Sequence, residues 1–161
     1  FPEDVLLTAD ADYMGDGRPC HRMDIFRPRE AKEALPVLVN IHGGGFLLGK
    51  KEANRLFCAD MCRRGFVVFC LEYPLVPDVD IFTVFRALTA GIERAAALAP
   101  DFGGDASRLF LCGDSAGAYL CGYLAARRKN AAMARAAGVP QLSSDIAALG
   151  LISGMFYGAY F

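Results

Sequence analysis

Histidine is scarce in this sequence: His21 and His42 are the only two among 161 residues. So few imidazoles leave little material for a histidine-built metal centre. There is no basic excess either, since 17 Lys and Arg face 18 Asp and Glu for a net charge of -1. The longest cationic run is Arg127-Arg128-Lys129. That balance excludes nucleic acid as an expected partner, and the triplet reads as a charged helix end, where cations suit the dipole. Six cysteines are present, but no C-x-x-C. Cys58 and Cys62 share a helical face, and Cys20, Cys70, Cys112 and Cys121 are scattered. They read as buried free thiols of a reducing compartment, which points to the cytoplasm and implies neither disulfides nor a metal. No long apolar run exists. The tail Ile146–Phe161 is uncharged, but its 16 residues contain three glycines and fall short of the ~20 that span a bilayer. It reads as a buried strand followed by a loop. Repeats and low-complexity linkers are missing, and the first residue is Phe1 rather than Met. Any signal peptide is expected upstream of it.

What is present suits a folded domain. Hydrophobic residues make up 54% and charged residues 22%, which excludes disorder. The length suits one domain able to bury about two-thirds of its unfolded surface. Val5–Ala9 and Met23–Phe26 read as a hairpin around the turn cluster Gly15-Asp16-Gly17-Arg18-Pro19. Val37–Ile41, Phe66–Leu71 and Leu109–Cys112 are nearly continuous apolar runs, typical of strands covered on both faces. Ala53–Arg64 reads as a helix closed by Gly65. A longer helix, capped by Asp78 or Asp80, carries Ile81, Phe85, Leu88, Ile92 and Ala96 on one face and ends before Pro100. Ala116–Lys129 is a further helix, and Ile146–Ile152 the last strand. This alternation predicts an α/β fold: a mostly parallel sheet with helices on both faces. In such sheets function sits at the carboxyl ends of strands.

Two glycine-rich segments fall at those ends. Gly113-Asp114-Ser115-Ala116-Gly117 fits G-x-S-x-G with a strand before it and a helix after it. Small neighbours allow the strained turn that lifts the Ser115 hydroxyl off the sheet, and the helix N-terminus aims N–H groups at a developing oxyanion. His42-Gly43-Gly44-Gly45-Phe46 follows the Val37–Ile41 strand. Three consecutive glycines cost entropy on folding but let backbone N–H groups face a substrate oxygen unobstructed. Two of them with the Ala116 N–H make a three-donor oxyanion hole. A phosphate loop is excluded by the lack of G-x-G-x-x-G and of a lysine at P-loop spacing.

These motifs, with Leu71–Asp78 (LEYPLVPD) and Asp105–Leu120, resemble the α/β-hydrolase superfamily, specifically the HGGG esterases and lipases of the hormone-sensitive-lipase group. The resemblance implies Ser115 as nucleophile and Gly44, Gly45 and Ala116 as oxyanion donors. It makes Gly43 a shaper of the loop and His42 its brace rather than the base. Ala118 departs from the family, which usually has a further glycine there. Asp114 is read as a structural hydrogen-bonding residue.

A serine needs a base, and α/β-hydrolases order their triad Ser, acid, His. After Ser115 the chain has one acid, Asp145, and no histidine. His21, beside the hairpin, reads as an ordinary strand-edge residue. The chain is therefore expected to be the N-terminal part of a single α/β-hydrolase domain, residues 1–161, cut after about six of eight strands, with acid and histidine outside it. The function expected is a serine carboxylic-ester hydrolase acting through an acyl-enzyme on a small-molecule ester, without cofactor, the fragment alone being inactive. A peptidase or other acyl hydrolase and a silent binding protein on the same fold are the alternatives. Phe46, Leu47, Met155, Phe156 and Tyr157 follow strand ends and either line an apolar pocket or pack the core.

Overall fold

Period-two alternation builds the sheet. In strand β3 (Leu35–Ile41), Val37, Val39 and Ile41 point to one face while Leu38 and Asn40 point to the other. The same holds in β4 (Val67–Leu71), where Val67, Phe69 and Leu71 oppose Val68 and Cys70. The computed structural model describes residues 1–154 and Phe156. Six strands lie in the order β1-β2-β4-β3-β5-β6. Besides β3 and β4 these are β1 (Val5–Asp12), β2 (Arg22–Pro28), β5 (Gly104–Asp114) and β6 (Ala148–Ile152). The β1–β2 and β2–β4 pairs are antiparallel, and β3–β4, β3–β5 and β5–β6 are parallel. The sheet is thus mixed and mostly parallel.

Helices cover both faces. Helix α1 (Arg55–Arg63) packs Cys58, Ala59 and Cys62 against Phe26, Leu38, Val68, Cys70 and Cys112. Helices α2 (Ile81–Leu98) and α3 (Ala116–Lys129) bury Val84, Phe85, Leu88, Ile92, Leu120, Cys121 and Leu124 against the opposite face. Each such side chain contributes roughly 1.5–3 kcal/mol on burial. Of the two candidate caps for α2, Asp80 is the one used: its Oδ1 accepts from the Thr83 N–H at 2.6 Å.

One helix was not anticipated, and two expectations need correction. A short helix α4 (Ala131–Ala137), capped by Asn130, follows α3 directly. Arg127 is not a solvated helix end: it is buried and donates to the carbonyls of Val139 (2.9 Å) and Pro140. It ties the crossover loop to α3. The last strand is not buried, as Leu149, Leu151 and Ile152 are all exposed. The loop expected after it falls mostly on Met155 and residues 157–161, outside the described residues.

The face under α1 carries a buried ion cluster. The Lys51 Nζ, in a 3-10 turn leading into α1, lies 2.8 Å from Asp10, 2.9 Å from Asp24 and 2.5 Å from Glu52. Asp24 is fully buried and also takes Arg55 Nε at 2.7 Å and the Asp10 N–H at 3.1 Å. Burial alone would push the Asp24 carboxyl up, but Arg55, Lys51 and the Asp10 N–H outweigh it and hold it below the carboxylate range. Burial alone would likewise lower Lys51, yet Asp10, Glu52 and Asp24 hold it above its ordinary value.

Because the Asp24 value is lowered on folding, its stabilisation is present above the unfolded value of about 3.9 and is lost as pH falls through the folded one. Asp24→Asn is expected to lose about 3–5 kcal/mol at pH 7. It should then lose less than the parent on further acidification below about pH 4. Urea unfolding across pH checks both; equal stability of the two proteins at pH 7 would refute the cluster's role.

Candidate active site

Ser115 occupies the hinge between β5 and α3 with φ 51° and ψ -116°. A positive φ at a non-glycine residue with a branchless, polar side chain costs on the order of 1–3 kcal/mol and persists only where its surroundings enforce it. Here they do. A Cβ on Gly117 would stand 2.0 Å from the Ile41 carbonyl oxygen, and one on Gly113 would stand 2.4 Å from the Gly117 carbonyl carbon. Helix α3 therefore starts in contact with the end of β3, and the chain has room for only one tight turn. The Ser115 N–H donates to Ile152 O at 2.8 Å, which fastens the hinge to β6. The serine itself is exposed, and its hydroxyl bonds to none of the described residues.

The second glycine segment meets this hinge. The Gly43 N–H donates to Asp114 Oδ1 at 3.1 Å, and Asp114 also accepts from Asn54 Nδ2 at 3.0 Å. Gly44 lies at φ 121°, where a Cβ would overlap the Leu48 carbonyl at 1.8 Å. Its own carbonyl accepts from Leu47 and Leu48, each at 3.1 Å. Among the described residues the N–H groups of Gly44, Gly45 and Ala116 have no acceptor. Backbone N–H groups left without a protein acceptor can receive an anionic oxygen.

His42 is buried. Its Nε2 lies 2.8 Å from Glu72 Oε1 and its Nδ1 2.7 Å from Gly43 O. Tyr73 stacks on the ring at 4.3 Å and donates its hydroxyl to His42 O at 2.9 Å. Glu72, Tyr73 and Asn54 escaped sequence reading, as did Asn40, which accepts from Asn54 at 2.9 Å. Their signals were a polar residue inside the apolar run 37–41 and the Glu-Tyr pair directly after β4.

His21 and Asp145 lie elsewhere. His21 is buried at the end of a 3-10 turn, directly before β2, with Nδ1 2.7 Å from Asp16. Asp145 is exposed and bonds Arg128. Phe46 meets the edge of Tyr119 at 5.7 Å, Tyr119 neighbours Tyr123 at 6.4 Å, and Tyr123 stacks on Phe85 at 4.1 Å. This aromatic row begins one helical turn from Ser115, whose carbonyl accepts the Tyr119 N–H. Leu47 and Phe156 are exposed rather than core residues, while Met155 and Tyr157 lie outside the described residues. Among the described residues no three His, Cys, Asp or Glu side chains are grouped to hold a metal ion, and no helix is long and apolar enough to cross a membrane.

Gly117→Ala drives its new methyl into backbone and is expected to lose about 1–3 kcal/mol or more. Gly122→Ala meets only the Phe156 ring at 3.2 Å and should stay within about 1 kcal/mol of the parent, because alanine favours the helix. Thermal unfolding of both variants checks this contrast.

Known proteins resemble this chain in sequence and fold. The BD-FAE family model matches residues 23–148. The chain is 30% identical over 120 residues to a probable isoprenylcysteine alpha-carbonyl methylesterase of Oryza sativa subsp. japonica, covering 74% of this chain and 28% of the relative. It is 27% identical over 103 residues to the kynurenine formamidase of Salmo salar, covering 62% of this chain and 32% of that one. The crystal structure of esterase B from Lactobacillus rhamnosis superposes with a TM-score of 0.86 at 28% identity, covering 92% of this chain and 48% of that chain. The chain thus spans about half of the solved esterase and about a third or less of these two curated relatives. By the matched span the chain belongs to the BD-FAE family, and it shares the α/β-hydrolase fold of the solved esterase.

Proposed function

We propose that the chain carries the nucleophile and oxyanion hole of a serine carboxylic-ester hydrolase acting on small-molecule esters. The strained Ser115, tied through the Asp114–Gly43 bond to a loop whose Gly44 and Gly45 N–H groups, like that of Ala116, have no acceptor among the described residues, is the observation that carries this reading. The Ser115 Oγ attacks the ester carbonyl carbon while a base takes its proton. The carbonyl oxygen becomes an oxyanion held by the N–H groups of Gly44, Gly45 and Ala116. The C–O bond to the alcohol breaks, the alcohol departs with the proton, and an acyl-enzyme remains. Water adds to it, and the acid leaves as Ser115 regains its proton. The base and its orienting carboxylate are assigned to sequence outside residues 1–161, since no histidine follows Ser115 and His42 is engaged on both ring nitrogens. Residues 1–161 alone are then inactive or nearly so.

An amide-cleaving acyl hydrolase is the second reading, favoured by the likeness to a formamidase. The chemistry is the same apart from the leaving group. In the complete gene product, a fluorophosphonate probe should label Ser115, and p-nitrophenyl acetate or butyrate should be hydrolysed. Ser115→Ala should lower kcat by about 10⁴-fold or more. Turnover of anilides without turnover of esters would select the second reading. Ester binding with no labelling of Ser115 would make the protein a silent binding module instead.

A further inference from the structure

Both ring nitrogens of the buried His42 face hydrogen-bond acceptors: Gly43 O at 2.7 Å from Nδ1 and Glu72 Oε1 at 2.8 Å from Nε2. A neutral imidazole has one N–H and serves one acceptor. The second contact would then set two lone pairs against each other. The Glu72 carboxyl, for its part, is met by donors. Oε2 accepts the Lys51 N–H at 3.0 Å, and Oε1 accepts the Tyr73 N–H at 3.3 Å. Every contact is satisfied when His42 carries both ring protons and Glu72 carries none.

The surroundings suit that charge. The Tyr73 ring lies flat on the imidazole, 14° from parallel, and a cation is attracted to such a face. Asp114 adds a carboxylate on the other side of the loop, at the Gly43 N–H. Lys51 gives Glu72 only its backbone and turns its ammonium to Asp10, Asp24 and Glu52. Burial pushes the Tyr73 hydroxyl up, so it remains a donor to His42 O.

The consequence reaches the oxyanion hole through one peptide plane. In a trans peptide the C=O and the following N–H point in opposite directions. A proton from His42 Nδ1 on Gly43 O therefore fixes where the Gly44 N–H aims. Because hydrogen bonds in series polarise one another, a cationic donor on the carbonyl strengthens the N–H at the far end. We propose that Glu72 is a positioning residue for the oxyanion loop: its carboxylate holds His42 as an imidazolium, which orients and polarises the Gly43–Gly44 peptide. The catalytic part rests on the hydrolase reading above; the charge state does not.

The test uses the complete gene product labelled with ¹⁵N-histidine, with the His42 signals assigned by their loss in His42→Gln. At neutral pH the parent should show both His42 ring nitrogens protonated, and Glu72→Gln only one. In ester hydrolysis Glu72→Gln should lower kcat about tenfold or more while KM stays nearly unchanged, because the polarised N–H acts mainly in the transition state. One protonated nitrogen in the parent overturns the proposal, and that spectrum decides even if Glu72→Gln does not fold. Two protonated nitrogens in Glu72→Gln, or a rise in KM with kcat unchanged, also overturn it. Absence of ester turnover in the parent defeats the hydrolase reading and leaves the spectrum to decide the charge.

Discussion

The approach of α3 to the end of β3 governs this structure. With 2.0 Å between an imagined Gly117 Cβ and the Ile41 carbonyl, no side chain fits between helix and strand. The chain leaves β5 in the sheet and must enter the helix within one residue. That residue, Ser115, takes the positive φ. The same closeness brings the His42–Phe46 loop, which leaves β3, against Asp114, which ends β5. The strain at one residue and the meeting of two loops thus have a common cause, the parallel neighbours β3 and β5 ending side by side.

A polar chain runs from this point under α1. Asp114 bonds Asn54, Asn54 bonds Asn40, and the Cys70 thiol lies 3.5 Å from Asn40 Oδ1 and 3.4 Å from Lys51 O. Lys51 then reaches Asp24, and Arg55 reaches it from α1. Burying so many polar groups costs free energy unless each finds a partner. Here they do, and the partners belong to different elements: β1, β2, β3, β4, β5 and the turn into α1. An apolar side chain would slide over its neighbours. A network of directed bonds admits one register and so fixes the loops that it joins.

The apolar architecture was legible in the sequence because its signals are local. The run 109–112 is continuous and 37–41 nearly so, and the face Ile81-Phe85-Leu88-Ile92 repeats at helical spacing. The glycine segments were legible for the same reason: Gly113 and Gly117 sit beside the residue whose turn they permit. Partners distant along the chain were not. His42 and Glu72 are 30 residues apart, and Asn54 and Asp114 are 60 apart. No spacing rule links them, since only the sheet order places β4 beside β3. Arg127 misled for a related reason. A cation in the last turn of a helix satisfies the dipole whether solvated or buried, and the two carbonyls that bury it belong to the loop after α4. The exposure of β6 also lay beyond periodicity, because an alternating or continuous apolar pattern says what a strand can bury, not what covers it.

The two faces of the sheet divide the work. The face under α2 and α3 is packed with buried apolar side chains from Met23 to Leu142 and supplies most of the cohesion. The face under α1 has the smaller apolar cluster and the buried ion and amide network of Asp24, Lys51, Arg55, Asn40 and Asn54. This separation has a physical rationale. A loop whose N–H groups are left unsatisfied by protein tends to collapse onto any acceptor nearby. Apolar packing resists that collapse weakly, because it has no preferred direction. The bonds of Asp114 to Gly43 and of His42 to Gly43 and Glu72 do resist it, since turning the loop inward would break them in a buried setting. Cohesion on one face and direction on the other let the N–H groups of Gly44 and Gly45 stay open among the described residues.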